Sequence, residues 1–381
     1  MKYKSYIKFL KNLHDTLRYR ELPESINCDE GFLDFSNNDY LKFSNNSEII
    51  NHTKKITQEY NVGSTGSRLL SGNQKIFEIL EKRIAQDKKT EASLVFNSGF
   101  QANTSTLSSL IDKKVLGERP IVFFDRLNHA SLYQAVFMSD VELVRYKHND
   151  IEHLSQLLGQ YKDDDRAKFI VTETLFGMDG DLLPIEDICH LAKIHKAFLY
   201  LDESHATGVI GEDGYGLSTN VDLSEIPHVV MGTFSKALGC SGGYIACDKV
   251  IKEYLINKAQ GLIYSTAPSP LLMGIVLKAW ELVKNFSKER ESLMVMAKNL
   301  RYELNNMGYD TGNSETHIVP IIVKNEEDAL KIKEKLFSNK IIVSCIRPPT
   351  VPIGTSRIRI ALNVGHFEDE IKRLIGVLRK T

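Results

Sequence analysis

Short apolar runs alternate with longer stretches of helical periodicity along this chain. The runs at residues 93–96, 121–124, 169–171, 198–201, 229–231 and 244–246 have the length of strands. Residues 48–60 and 73–86 instead repeat their apolar positions at helical spacing. Such alternation predicts an α/β fold built on a sheet of mainly parallel strands. Five of the six runs pass directly into small or polar residues: "NSGF", "DRLNH", "TETLFGMDGD", "DESHATG" and "GTFSK". Ligands of open α/β sheets bind outside the carboxyl ends of the strands, so these five loops are expected to meet at one site.

A second α/β region is expected further on. Residues 271–308 read as long helices, and "HIVPIIV" (317–323) reads as a strand. Asn325, followed by Glu326 and Glu327, reads as the N-cap of an amphipathic helix. "KIIVSCI" and "SRIRIAL" add two strands, and a final helix starts near Glu368. At the other end, Tyr3, Ile7, Leu10, Leu13 and Leu17 recur at helical spacing, which predicts a packed amphipathic helix. The expected partition is an N-terminal arm over 1–47, a large domain over 48–270 and a C-terminal α/β domain over 271–381. No repeat, low-complexity tract or Pro/Ser-rich linker interrupts it.

Composition narrows the function. A hydrophobic share of 42% and a charged share of 25% are those of a soluble globular protein. A net charge of −1 gives no reason to expect nucleic acid or a membrane as partner. No apolar run reaches the ~18 residues needed to span a bilayer. The basic N-terminus lacks a continuous apolar core and a small-residue cleavage site. Five cysteines, Cys28, Cys189, Cys240, Cys247 and Cys345, form no C-x-x-C pair and are odd in number, which fits a reduced, cytoplasmic setting. No H-E-x-x-H and no Cys/His cluster is present, so no metal is expected.

The candidate chemistry lies in the loops. Lys236 stands in "VVMGTFSKALGCSGGY", with Asp202 and His205 upstream in "FLYLDESHATG". A lysine able to form a Schiff base, an aspartate able to hold a pyridinium proton and a histidine able to approach the ring are what pyridoxal 5′-phosphate (PLP) asks of a protein. Read alone, Lys236 could be a surface lysine after a core strand. Ser98 and Gly99 stand between a strand and a helix, where first-turn amides suit a phosphate, although an ordinary βα turn would look the same. Thr233 and Ser235 could add hydroxyls to that phosphate. His129 in "DRLNHAS" could lie over a flat ring or simply cap a helix. Asp202 would be costly to bury without a cationic partner, and a protonated pyridine nitrogen is one.

The segments "DFSNNDYLKF", "GSTGSRLLSGNQKIFEILEKRIA", "FNSGFQAN", "DRLNHASL", "TETLFGMDGDLLPIEDI", "DESHATGVIGEDGYG", "TFSKALGCSGG", "IYSTAPSP" and "IRPPTVPIGTSRIRIAL" follow one another in a familiar order. In them the chain resembles the α-oxoamine synthases over about residues 4–380. These are fold-type I PLP-dependent transferases, aspartate-aminotransferase-like in architecture, that condense an amino acid with an acyl thioester. The resemblance implies a catalytic group of four. Lys236 would carry PLP, Asp202 would pair with the pyridinium nitrogen, His205 would bond the phenolic oxygen and His129 would stack on the ring. Gly99, Phe100, Thr233 and Ser235 would surround the phosphate, with Thr266 of "YSTAP" reaching it from a partner subunit. Asn38 and Arg359 would hold the amino-acid carboxylate, while Arg18 and Thr350 would line the acyl-donor channel. A site shared in this way implies a C2 homodimer.

Within the family, "LRYRE", "GSTGSRLLSG" and above all "RPPTVPIGTSRIR" resemble the branch that joins L-alanine to a pimeloyl thioester in biotin synthesis. The acyl group would arrive on CoA or on acyl-carrier protein. Glycine with acetyl-CoA is the nearest alternative. An aminotransferase or β-eliminating lyase, and a PLP-bound regulator or inactive paralogue, are more distant ones. Two positions depart from the family's pattern. Gly177 stands where a serine near the cofactor is usual, and Phe77 replaces a frequent histidine.

Overall fold

Residues 2–22 and 31–379 are described by the structure, a computed structural model. Cys28 lies outside the described residues. The chain opens with α1 (Lys4–Asp15), β1 (Leu33–Asp34), α2 (Ser47–Ile56) and α3 (Lys75–Asp87). There follow β2 (Ala92–Phe96), α4 (Gly99–Leu110), α5 (Lys113–Leu116), β3 (Ile121–Asp125), α6 (Ala130–Phe137) and β4 (Glu142–Tyr146). Next come α7 (Ile151–Gln160), β5 (Lys168–Glu173), α8 (Ile185–Ile194), β6 (Phe198–Asp202), β7 (His228–Thr233) and β8 (Gly243–Cys247). Helices α9 (Lys249–Lys258), α10 (Gln260–Ile263), α11 (Pro270–Val283) and α12 (Ser287–Asn306) lead to β9 (Ile318–Lys324). The chain closes with α13 (Glu326–Ser338), β10 (Ile341–Ile342), β11 (Ser344–Ile346), β12 (Ser356–Ala361) and α14 (Glu368–Arg379).

Contacts group the chain into a larger unit, residues 38–176 and 182–291, and a smaller unit, residues 1–37, 177–181 and 292–381. The larger unit carries a seven-stranded sheet in the order β2-β8-β7-β6-β5-β3-β4. All six expected strands are in it. Alternate residues feed two separate cores: Val122 and Phe124 enter one, Ile121 and Phe123 the other. A strand covered on both faces must be apolar at every position, which is why these runs read as continuous rather than alternating. The pairs β3–β4, β3–β5, β5–β6 and β6–β7 are parallel, whereas β8 runs antiparallel to both β2 and β7. Strand β4 escaped the sequence reading because it is an edge strand in which Glu142 and Arg145 break the apolar run. Helix α11, which starts where the C-terminal region was expected to begin, is capped by Ser269 with Pro270 in its first turn and packs on α2 and α3 in this unit.

In the smaller unit, β11-β12-β9 form an antiparallel sheet against which α13 packs. The expected cap is present: Asn325 Oδ1 accepts from Asp328 N at 2.8 Å. "KIIVSCI" is not one strand but two, because β10 pairs with β1 and β11 with β12. The N-terminal helix forms, but its expected packing does not. Helix α1 buries no residue, and Tyr3, Ile7 and Leu10 are 69%, 54% and 44% exposed. Tyr3 and Leu17 have positive φ and lie outside the helix, so the apolar stripe is shorter than its spacing suggested.

Candidate active site

Parallel pairing puts the ends of β3, β5, β6 and β7 on one edge of the sheet, and the five loops leave from that edge. In register, Glu173 is the partner of Asp202, and Asp202 the partner of Met231. A cavity of about 220 Å³ opens there. From the turn into α4 it receives Ser98, Gly99 and Phe100, and from the turn into α6 it receives His129. From β6 and its loop come Asp202 and His205, and from β7 and its loop come Thr233, Ser235 and Lys236. Nine of the expected cofactor residues therefore line one space. Thr266 is not among the described lining residues; it is exposed, and its carbonyl accepts from Asn97 Nδ2 of the same chain at 2.8 Å.

The turn into α4 is shaped for an anion. Ser98 caps the helix, its Oγ accepting from Gln101 N at 3.1 Å, and the preceding first-turn amides have no acceptor within the helix. A Cβ on Gly99 would come within 3.3 Å of Thr233 Cβ, so glycine keeps this wall open. Thr233 Oγ1 lies 2.9 Å from Ser235 Oγ. The loop bearing Lys236 joins β7 to antiparallel β8, so it is a closed hairpin rather than a βα turn. Phe234 N donates to Gly242 O at 3.0 Å, Cys240 N to Phe234 O at 2.9 Å and Gly239 N to Lys236 O at 2.8 Å. Gly239 has φ +61°, and a Cβ there would meet Ser44 N at 2.3 Å.

Asp202 is buried. Its Oδ1 accepts from Ser204 N at 2.8 Å and its Oδ2 from Asn103 Nδ2 at 2.7 Å. Both of these donors are neutral, which suits a side chain that is to receive a cationic ring nitrogen in the cavity. His205 Nδ1 lies 2.8 Å from Tyr40 OH, which donates to Asn38 Oδ1 at 3.0 Å. Asn38 thus belongs to the larger unit and is linked to His205 through one hydroxyl. The bland alternative for His129 is realised as well: it caps α6, with Ser131 N donating to Nδ1 at 3.3 Å. Its imidazole is open to solvent at the cavity, yet the surrounding protein lowers its pKa, offset in part by Asp202 and reinforced by Lys236.

Four residues at this site were not singled out from sequence. Glu173 sits next to Asp202, and burial, then the neighbouring Asp202 charge, push its pKa well above the carboxylate range. It accepts from His129 N at 2.6 Å. Asn103 was legible in principle, since it stands one turn after Gly99 on the same face of α4. Ser131 and Tyr40 carried no signal, because their value depends on partners far away in the chain. Behind the site, Glu203 forms a wholly buried ion pair with Lys88, whose Nζ also donates to Tyr215 O at 2.7 Å and Ser218 Oγ at 2.8 Å.

The remaining expected residues lie in the smaller unit. Arg18 donates to Glu326 Oε1 at 2.9 Å, and Arg20 donates to Thr350 Oγ1 at 2.7 Å. Arg347 binds the carbonyls of Leu17 and Tyr19, so Arg18 and Thr350 belong to one arginine-rich corner. Arg359 is buried and donates from Nε to the carbonyl of Gly177 at 2.5 Å. At that departure from the family pattern, the backbone rather than a hydroxyl is in use. At the other departure, Phe77 is wholly buried in the larger unit, beneath the Arg68 guanidinium at 4.9 Å from its ring centre.

A family model for class I and II aminotransferases matches residues 30–378. The chain belongs to this family. Its α-oxoamine synthase branch, read from the motifs, is supported by its relatives. A putative 8-amino-7-oxononanoate synthase of Paramagnetospirillum magneticum is 43% identical, over 91% of this chain and 87% of its own. Another putative one, of Bacillus cereus, is 39% identical over 95% and 93%. Among solved structures, serine palmitoyltransferase from S. paucimobilis with bound PLP-myriocin aldimine superposes with a TM-score of 0.89 at 25% identity, covering 100% of this chain and 97% of that one. An 8-amino-7-oxononanoate synthase from Francisella tularensis does so with a TM-score of 0.79 at 27% identity, covering 92% and 98%. Among the described residues no helix is long and apolar enough to cross a membrane.

Proposed function

We propose that this chain is a PLP-dependent acyltransferase that joins L-alanine to a pimeloyl thioester with loss of CO2, the 8-amino-7-oxononanoate synthase reaction of biotin synthesis. The observation that carries the reading is the single cavity in which Lys236, Asp202, His205, His129 and a hydroxyl-lined helix N-terminus come together. The residues fit the cofactor: a lysine for covalent attachment, a buried carboxylate fixed by the neutral donors Ser204 N and Asn103 Nδ2, and an anion cradle free of any Cβ at Gly99.

When bound, PLP supplies a covalent anchor for the amino group and an electron sink for the pair left at the substrate's Cα. The protein's part is to bind, orient and move protons. Ser98, Gly99, Phe100, Thr233 and Ser235 would hold the phosphate. Asp202, fixed by Asn103 and Ser204, would keep a proton on the ring nitrogen, and His205, braced by Tyr40, would bond the phenolic oxygen. The Lys236 amine would take the Cα proton of alanine and later return one. Asn38 and Arg359 hold the alanine carboxylate until it leaves as CO2. His129 donates to oxygen as negative charge develops there during acyl transfer. Arg18 and Thr350 receive the distal end of the acyl chain, where a second carboxylate asks for a charged or hydrogen-bonding terminus.

The reading extends to assembly and setting. The working form is a homodimer that shares its sites, with Thr266 serving the partner's phosphate. Phe100, Met138 and Tyr264 are 52%, 61% and 82% exposed beside a groove of about 780 Å³ whose other lining side chains are mostly polar, and a second copy would cover these apolar groups. The proposed setting is the cytoplasm.

The test is a substrate panel read by mass spectrometry: alanine, glycine or serine, each with acetyl-, succinyl-, pimeloyl- and palmitoyl-thioester. Alanine with pimeloyl-thioester should give the β-keto amine and CO2. If glycine with acetyl-CoA proves at least as good, the biotin assignment falls to glycine C-acetyltransferase. Borohydride should fix PLP to Lys236 alone, and labelling elsewhere would remove the central residue.

A further inference from the structure

Asp202 and His129 have separate tasks above, but one side chain stands between them. Asn103 is buried, and each of its polar hydrogens and its oxygen has an assigned partner. Nδ2 donates to Asp202 Oδ2 at 2.7 Å and to Ser131 Oγ at 2.9 Å, and Oδ1 accepts from Tyr200 OH at 2.9 Å. The amide cannot be turned over, because that would set its oxygen against Asp202 Oδ2 and its N–H against the donating Tyr200 hydroxyl. Ser131 Oγ therefore accepts from Asn103 and keeps its own O–H for another partner. His129 Nδ1 lies 2.8 Å away and, because it also accepts a backbone N–H, takes that O–H as acceptor. The Ser131 backbone N–H donates to the same nitrogen at 3.3 Å. Two donors facing Nδ1 leave the neutral imidazole one arrangement, with its proton on Nε2.

We propose that Asn103 is a positioning residue that couples Asp202 to His129, fixing the aspartate side chain with one N–H and, through Ser131, keeping the histidine proton on Nε2. The idea deepens the proposed reaction and rests on it for its purpose: a Nε2–H is the form that can donate to a developing oxyanion. The direction of donation runs from Tyr200 to Asn103, then divides to Asp202 and to Ser131 and His129. Protonating His129 would place a new N–H against two donors, so the chain opposes it. Without Asn103, Ser131 is free to turn its hydroxyl round and accept from that N–H, and protonation becomes easier.

The test uses the whole protein without cofactor as well as with it. Diethyl pyrocarbonate reacts with neutral imidazole, so the pH dependence of His129 modification, read by peptide mass spectrometry, gives its midpoint. Asn103→Leu keeps the volume and removes the amide. The midpoint should rise by about half a pH unit or more, although Asn103 has no hydrogen bond to His129 of its own. Ser131→Ala should raise the midpoint likewise, and Ser131→Thr, which keeps the hydroxyl, should restore it. With cofactor, Asn103→Leu should weaken PLP binding about tenfold or more, whereas Ser131→Ala should leave it within about threefold, since the bond to Asp202 is intact. Unchanged midpoints in a folded Asn103→Leu and in Ser131→Ala would overturn the coupling. Should Asn103→Leu fail to fold, the Ser131 pair decides alone. Wild-type protein that never binds PLP would sink the proposed function while leaving the His129 midpoints to judge the network.

Discussion

His317 gives the smaller unit a built-in sensitivity to acid whose size can be worked out. It is wholly buried, and that burial first, then the charges of Arg359 and Arg301, bring its pKa from 6.5 down to about 3. The native protein therefore holds a neutral imidazole, while the unfolded chain takes up a proton below about pH 6.5. Because the folded pKa is the lower one, this contribution to stability is complete above pH 6.5 and is lost as the pH falls toward 3. Each pH unit in that window removes about 1.36 kcal/mol. Going from about pH 7.5 to about pH 5 crosses one and a half units of it, a loss of about 2 kcal/mol. His317→Gln cannot titrate. Urea unfolding of wild type and variant, followed by circular dichroism at both pH values, should show their difference in free energy moving by that amount in the variant's favour at the lower pH. A constant offset from the substitution drops out of the comparison. A difference that is the same at both pH values would refute the argument and mean that His317 titrates as an ordinary histidine.

Other outcomes follow from the same coordinates. Asp202→Asn should leave the fold intact and cut turnover by orders of magnitude, since an amide cannot hold a proton on the ring nitrogen; near-normal steady-state rates would point to another partner. Glu203→Gln or Lys88→Met alone should cost about 3–5 kcal/mol by stranding a buried charge, and the double change should recover most of that in thermal melts. Ser98→Ala should lose about 1 kcal/mol of stability with its cap. Arg18→Ala should raise KM for the pimeloyl donor and leave that for alanine unchanged, a split that initial-rate kinetics will read.

What could be seen in the sequence was whatever a local pattern encodes. Val122 and Phe124 beside Ile121 and Phe123 announce a strand buried on both faces, and Asn325 before Glu326 and Glu327 announces a cap. Strand direction is not local, so β8 could not be distinguished from a parallel strand, and the Lys236 loop could not be recognised as a hairpin. Solvent exposure is not local either. Ile7 and Leu10 have the spacing of a packed helix, but among the described residues nothing buries them. At the site, the charged and covalent residues stood out because their chemistry is rare. Asn103, Ser131 and Tyr40 did not, because an amide or hydroxyl becomes informative only when its partner, 99 residues away for Asn103 and Asp202, is known.

The hairpin around Lys236 also limits how far its amine can travel. The loop is joined into the sheet at both ends, where Thr233 pairs with Gly243 and Phe234 with Gly242, so the backbone has no hinge on which to swing. Motion is left to the side chain alone. An amine tethered to so firm a base acts at the effective concentration of an intramolecular group, which reaches ~10⁵ M or more in well-oriented cases, rather than that of a lysine meeting its target by diffusion. In the proposed reaction an amine released from one bond would remain within reach of the next. Proton transfer and renewed attachment would then compete within a single small volume, and the geometry of that volume, not the rate of encounter, would decide between them.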